Sequence, residues 1–369
     1  MRVLQVIPEL QTGGAEQTAV DIARALVAAG HNAVVASQGG RMVDELPGEA
    51  KHVKLPVASK NPLIMLSNVE RLTALCRREK IDIIHARSRA PAWSALLVAR
   101  RLKIPFVTTY HGAYKASNGL KLWYNSVMAR SDAVIANSLF TAKRIVEQFP
   151  FAESSIRIVP RGTDFSQYDG AAKQYDWDLP DGTRVVLLIA RLTRWKGQEV
   201  AIKALKDLPE NVHLVLAGED QGRTEYRQSL ISLAETLGLS ARVHLIGHAE
   251  PPRAFAGADV AIVPSTEPEA FGRAAVEAQA AKVPVIVSNL GAVPETVLVP
   301  PHVEENERTG WHIPARDPQA LRDAITKVLD LEQTELDDHL IRAQAHVQRH
   351  FSVESMGDQT LTIYEALLR

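Results

Sequence analysis

The chain has 369 residues, 46% of them apolar and 23% charged, with 42 Lys and Arg against 43 Asp and Glu. That is enough hydrophobic material for ordinary cores, so wholesale disorder is excluded, and at roughly 100–200 residues per domain the length implies about two domains. The single thiol, Cys76, excludes an internal disulfide and a multi-cysteine zinc site and fits a reducing, cytoplasmic compartment.

The first eight residues carry a short apolar run with neither a long hydrophobic region nor a small-residue cleavage site, which reads as a strand and not as a signal peptide. Residues 3–7 predict that strand. Ala19, Ile22, Ala23, Leu26 and Val27 then fall at i, i+3, i+4, i+7 and i+8, one face of a helix ending at Gly30. Further strands are expected at 33–37, 81–85, 105–110, 133–137 and 156–160, with helices near 62–79, 91–102, 119–130 and 139–148. Such alternation builds a parallel sheet covered on both faces.

From 161 to 182 the periodicity stops in a stretch rich in Asp, Gly, Tyr and Gln, and a linker is expected over 166–181. The alternation restarts with strands at 184–190, 212–217, 243–246, 260–263 and 283–287, and helices at 198–206, 224–237, 273–281, 318–330, 334–349 and 353–367. The expected organisation is one α/β domain over 1–165 and a second over 182–352. It ends in three helices with no further strand, of which the last, about 353–369, packs back on the first domain. Two doubly wound units of this kind would set the carboxyl ends of two parallel sheets across a shared cleft, where open α/β sheets bind ligands. Apolar runs such as 185–190, six residues long, fall far short of the ~18–20 needed to span a bilayer.

The near-zero net charge hides a partition. Residues 1–165 hold 22 Lys and Arg against 13 Asp and Glu, a net +9, while residues 166–369 hold 20 against 30, a net −10. Nine of the basic residues (Arg71, Arg77, Arg78, Lys80, Arg87, Arg89, Arg100, Arg101 and Lys103) fall in one stretch with two acids, Glu79 and Asp82. The stretch reads equally as solvated helix faces or as a peripheral contact for an anionic bilayer or phosphorylated glycolipid. With few aromatics interleaved and no reader motif, it does not read as a nucleic-acid surface.

Chemistry concentrates after two strands of the second half. Arg191-Leu192-Thr193-Arg194-Trp195-Lys196-Gly197 puts Arg191 and Lys196 on a strand-to-helix loop, where a planar fork and a point charge can grip a diphosphate; the plain alternative is a solvated basic loop. After the strand at 260–263 comes Glu267-Pro268-Glu269-Ala270-Phe271-Gly272-Arg273, with Glu277 further along the helix. Ala270, Phe271 and Gly272 lead into a helix N-terminus, whose amides form an anion site. Glu277 is either an exposed helical Glu or, among Ala274, Ala275, Ala278, Ala280 and Ala281, a buried carboxylate that needs a partner. In the first half, His85 and His111 each close a strand, and Gly13-Gly14 follow the first one.

Arg191-x4-Lys196, Glu269-x7-Glu277 and Gly13-Gly14-Ala15-Glu16 together resemble the family 4 glycosyltransferases of GT-B fold, over essentially the whole chain and in the style of the bacterial lipopolysaccharide transferases. The resemblance implies two Rossmann-like domains and a retaining, metal-independent transfer from a UDP- or GDP-sugar to a hydroxyl of a glycolipid or lipopolysaccharide-type acceptor, with no cofactor. It further implies that Arg191 and Lys196 bind the donor diphosphate, that Glu277 binds the ribose hydroxyls, and that Glu269 and His111 meet the transferred sugar. Ala270 and the amides of Phe271 and Gly272 would contact sugar or phosphate, with Gly13, Gly14 and Gly218 forming the donor loops. Arg161-Gly162-Thr163-Asp164 stands where many members have Asn-Gly-Val-Asp, and Arg273 where an aliphatic residue is frequent. The competing classes are a sugar-nucleotide epimerase or phosphorylase, for which no additional acid-base pair or cofactor lysine is found, and a non-catalytic sugar-nucleotide-binding protein. A dinucleotide-dependent oxidoreductase is disfavoured because no Gly-x-Gly-x-x-Gly opens a helix after a strand.

Overall fold

The computed structural model describes residues 1–11, 13–112, 114, 116–168, 175 and 177–369, and its contacts divide the chain into two units: Met1–Gly162 with Val353–Arg369, and Thr163–Ser352. Residues 169–174 and 176 of the expected linker lie outside the described residues.

In the first unit, strands β1 (Arg2–Val6), β2 (Asn32–Ser37), β3 (Lys51–Lys54), β4 (Ile83–Ala86), β5 (Phe106–Tyr110), β6 (Ala133–Ala136) and β7 (Ile156–Ile158) form one parallel sheet in the order β3-β2-β1-β4-β5-β6-β7. The connections run through α1 (Gly14–Ala28), α2 (Pro62–Glu79), α3 (Arg89–Leu102), α4 (Gly119–Asn125) and α5 (Leu139–Gln148). Alternate residues of the central strands feed two cores. Leu4, Ile84 and Phe106 pack with Leu72 and Ala95 of α2 and α3, while Val3, Ile83 and Val107 pack with Ile22 and Leu26 of α1. Both faces are covered, so these strands read as unbroken apolar runs and not as an alternation.

The second unit repeats the plan. Strands β8 (Arg184–Ile189), β9 (Val212–Ala217), β10 (Val243–Gly247), β11 (Val260–Val263), β12 (Val285–Ser288) and β13 (Trp311–Ile313) lie parallel in the order β10-β9-β8-β11-β12-β13. They are connected and flanked by α6 (Gln198–Leu205), α7 (Thr224–Thr236), α8 (Pro251–Ala256), α9 (Arg273–Ala280), α10 (Val293–Thr296), α11 (Pro318–Leu329) and α12 (Gln333–Phe351). The final helix, α13 (Val353–Leu368), belongs to the first unit, where its Met356, Leu361 and Tyr364 join the core beside α1.

Two strands depart from the sequence expectation. The second unit does have a further strand, β13, ahead of its last helices, and the first has an extra edge strand, β3. β13 is three residues long and β3 reads Lys-His-Val-Lys, so neither shows an apolar run. The helix expected over 119–130 ends at Asn125 and continues as a 3-10 turn over Ser126–Ala129. Strand order reverses between β1 and β4 in one sheet and between β8 and β11 in the other. In open α/β sheets that reversal separates the loops at the carboxyl ends and opens a crevice between them.

Candidate active site

In the second unit the loops after β8 and β11 meet. The 3-10 turn Arg194–Lys196 ends in Gly197, whose φ of +78° leads into α6; a Cβ there would lie 1.9 Å from the Pro264 carbonyl oxygen. Glycine is therefore required for the two loops to touch. The Thr266 amide donates to the Trp195 carbonyl at 2.8 Å, and Gln198 Nε2 donates to the Arg191 carbonyl at 3.0 Å. Held in this way, Lys196 Nζ lies 2.8 Å from Glu269 Oε2 and 4.4 Å from the centre of the Trp195 ring. Ser265 Oγ donates to the other Glu269 oxygen. Gly291 clasps Glu269 from the far side: a Cβ on it would lie 2.6 Å from both the Glu269 amide nitrogen and carbonyl oxygen. Arg191 is exposed, and among the described residues its guanidinium makes no hydrogen bond or ion pair.

Gly272, with φ +92°, opens α9. Among the described residues the amides of Phe271 and Gly272 donate to no acceptor, as expected of a helix start open to a ligand. Ala270 precedes them, half-buried. Glu277 is buried, and its partner is Arg273, one turn earlier, with Nε 2.5 Å from Oε1. The unusual Arg273 thus answers the question the sequence raises about an acidic group on an alanine-rich helix. Gly218 lies against the start of the Arg191 loop, where a Cβ would come within 1.9 Å of the Ala190 carbonyl oxygen. Among the described residues, the arrangement offers Arg191 without a partner, Lys196 paired to Glu269 and open helix amides, which suits a polyanionic ligand.

The first unit has its own polar cavity at its switch point. His85 and Arg87 come from β4 and its end, Thr109 and His111 from β5 and its end, Asn137 follows β6, and Thr18 lies on α1. The two candidate histidines separate. His85 is fully buried with Nδ1 2.6 Å from the Tyr364 hydroxyl and Nε2 2.7 Å from Thr109 Oγ1, so both ring nitrogens are used to join α13 to the sheet. His111 is half-buried, and its Nε2 has no hydrogen-bond partner among the described residues. Burial first, then Arg87 and Arg161, hold His111 far below the ordinary imidazole pKa, so it is neutral at pH 7. Gly13 caps α1, and a Cβ on Gly14 would lie 1.5 Å from Arg161 Nη2; the group that approaches this glycine closely is the Arg161 guanidinium.

Arg87 corrects the sequence reading. Counted there with the basic surface, it is 2% exposed, with its Nε donating to Gln5 Oε1 at 2.6 Å. The signal available was its place two residues beyond His85 at a strand end, a position that points into the fold. Among the described residues no three His, Cys, Asp or Glu side chains gather to hold a metal ion.

Residues 12–167 match the family described as Glycosyltransferase Family 4, and residues 172–347 match Glycosyl transferases group 1. The crystal structure of a glycosyltransferase from Rickettsia africae is 30% identical and superposes over 100% of this chain and 98% of its own, with a TM-score of 0.89. The chain is a family 4 glycosyltransferase of GT-B fold. The glycosyltransferase also shares its fold with HepE of Anabaena, solved with UDP and glucose, at 22% identity, TM-score 0.79 and coverage of 99% of this chain and 100% of that one. A D-inositol 3-phosphate glycosyltransferase of Xylanimonas cellulosilytica is 28% identical over 272 residues, 67% of this chain and 63% of that protein. The match therefore spans less than two thirds of that relative's length.

Proposed function

We propose that this glycosyltransferase moves a sugar from a UDP- or GDP-sugar to a hydroxyl of an anionic acceptor of the glycolipid or lipopolysaccharide type, with retention and without a metal. The observation that carries the donor half is the meeting of Lys196 and Glu269 beside the open amides of α9, with Arg191 free nearby. As the glycosidic bond breaks, negative charge grows on the leaving diphosphate. Arg191, Lys196 and the α9 N-terminus, with Ala270, Phe271 and Gly272 lining its approach, are the positive groups that answer that charge. The leaving phosphate oxygen accepts the proton of the attacking hydroxyl, the new C–O bond forms on the face the diphosphate leaves, and nucleoside diphosphate departs. Glu277 binds the ribose hydroxyls, with Arg273 yielding one carboxylate oxygen. Gly218 shapes the donor loop. HepE, solved with UDP and glucose, supports a nucleotide-sugar donor by analogy of fold.

The acceptor is assigned to the switch point of the first unit; His111 beside it meets the transferred sugar, and the Gly13-Gly14 start of α1 belongs to the donor loops. The relatives named D-inositol 3-phosphate glycosyltransferases favour a second reading in which the acceptor is a small phosphorylated polyol. A peripheral, cytoplasmic-face membrane contact is supported by the +9 charge of residues 1–165 and by exposed apolar side chains on α2 and α4. Thermal stabilisation by UDP, GDP and ADP, followed by product formation from the matching labelled donor, tests the proposal. Stabilisation by none of the three would overturn it.

A further inference from the structure

Among the described residues, Arg87 is a cation with no anion bound to it. It is 2% exposed, its Nε donates to the neutral Gln5 amide, and its Nη2 is buried with no partner among those residues. The carboxylate whose field reaches it, Asp21, is bound instead by Gln17 at 2.9 Å and Arg24 at 3.7 Å. His111 Nε2 and Asn137 Oδ1 are likewise buried without partners among the described residues, and all three side chains line one cavity of about 20 Å³. That space admits a single oxygen atom and no whole sugar. Its lining is complementary to an acceptor-only, negatively charged atom: a buried guanidinium, an imidazole that donates in its Nε2–H tautomer, and an amide that presents its NH₂ when turned over. A hydroxyl would leave the guanidinium charge unanswered, which is the costly outcome for a buried ion.

We propose that this cavity seats one oxygen of a carboxylate or phosphate carried by the acceptor, with Arg87 as its partner, so that Arg87 selects acidic acceptors. The proposal rests on the transferase reading with the acceptor in the first unit. The mouth, formed by the half-buried His111 and Arg161, suits an anion attached to a larger ligand.

The test is calorimetric titration of the full chain with myo-inositol 3-phosphate, glucuronate, inorganic phosphate and neutral myo-inositol, in saturating UDP so that phosphate sites of the second unit are filled. The expected result is that one of the two sugar-borne anions binds more tightly than inorganic phosphate, with no measurable binding of myo-inositol. Arg87→Gln weakens that anion by about tenfold or more and Arg87→Lys by less. Asn137→Asp supplies an internal carboxylate to the cavity, so it abolishes anion binding while raising the melting temperature, a combination that a damaged fold does not produce. The proposal is overturned if neither sugar-borne anion binds the wild type, if Arg87→Gln and Asn137→Asp bind like wild type, or if inorganic phosphate binds as tightly as the sugar-borne anions. Failure of UDP to bind the wild type defeats the donor reading separately, and the comparison between Arg87 variants still reads out.

Discussion

Lys196 Nζ lies 2.8 Å from Glu269 Oε2, so the cation from the β8 loop and the anion from the β11 loop neutralise one another across the switch point of the second sheet. Their side chains are 16% and 10% exposed. On the proposed function, an incoming diphosphate would draw Lys196 toward itself and free Glu269 for the sugar. Lys196→Ala is expected to lower transfer by about 10²–10³-fold and, by stranding a buried carboxylate, to reduce stability by about 3 kcal/mol. The double variant Lys196→Ala with Glu269→Gln recovers most of the stability and none of the activity. Chemical denaturation and labelled-donor transfer measure the two effects, and wild-type transfer by a folded Lys196→Ala protein would remove the diphosphate role.

Gly197 sets that pair. Its positive φ and its approach to the Pro264 carbonyl leave no room for a Cβ, so Gly197→Ala must separate the two loops. The expected cost is about 2 kcal/mol or more, from left-handed backbone plus the clash, with a parallel loss of UDP affinity because Lys196 moves with the loop. Unchanged UDP affinity in the variant would show that the loop contact does not position the lysine.

The alternation of apolar runs and amphipathic helices made both sheets legible, and with them the strand ends where chemistry gathers. β3 and β13 escaped because edge strands need no apolar run: Lys51 and Lys54 face outward on one, and the other is three residues long. The sequence leaves Glu277 either exposed or buried and in need of a partner, and the partner that settles it, Arg273, lies one helical turn away in the same local stretch. Long-range partners are different. Arg87 looks like one more surface arginine until Gln5, 82 residues earlier, is seen to hold it, and His85 looks equivalent to His111 until Tyr364, 279 residues later, takes up its Nδ1. The place of Arg87 at a strand end hints at burial, but the identity of partners that distant is a product of packing and leaves no mark in local composition.

Buried histidines set the acid limit of stability. His339 and His346 on α12 are pushed down to about 4, the first by burial and then by Arg342 and Arg308, the second by burial and then by His350. His85 and His111 are driven well below the ordinary value by burial and then by Arg87. Each folded-state pKa is depressed, so the unfolded chain takes up protons first. The contribution is complete above about pH 6.5 and is lost as pH falls from 6.5 toward 4. Asp21, raised by burial, acts in the opposite sense but as a single group. The urea midpoint is expected to be flat from pH 8 to 7 and to fall steadily below 6.5, with His339→Gln reducing the slope. A midpoint independent of pH between 7 and 5 would contradict the sign.

Several apolar side chains of the first unit are exposed. Leu63 and Leu66 on α2, Leu97 on α3, and Leu120 and Trp123 on α4 all face solvent. The three helices that carry them are joined: Ser94 Oγ donates to the Met65 carbonyl at 2.9 Å and Trp93 stacks on Trp123 at 4.6 Å between ring centres. Exposed Lys60, Arg101 and Lys121 neighbour them in the chain. On the proposed membrane contact, these apolar groups would enter the headgroup boundary while lysine and arginine meet anionic lipid. Burying one leucine is worth about 1.5–3 kcal/mol, so Leu120→Ser alone should weaken binding to anionic vesicles by about tenfold, and Trp123 emission should shift to the blue on binding. Raising salt should release the wild type, and neutral vesicles should bind it poorly. Cosedimentation indifferent to both lipid charge and salt would show that these side chains face something other than a membrane.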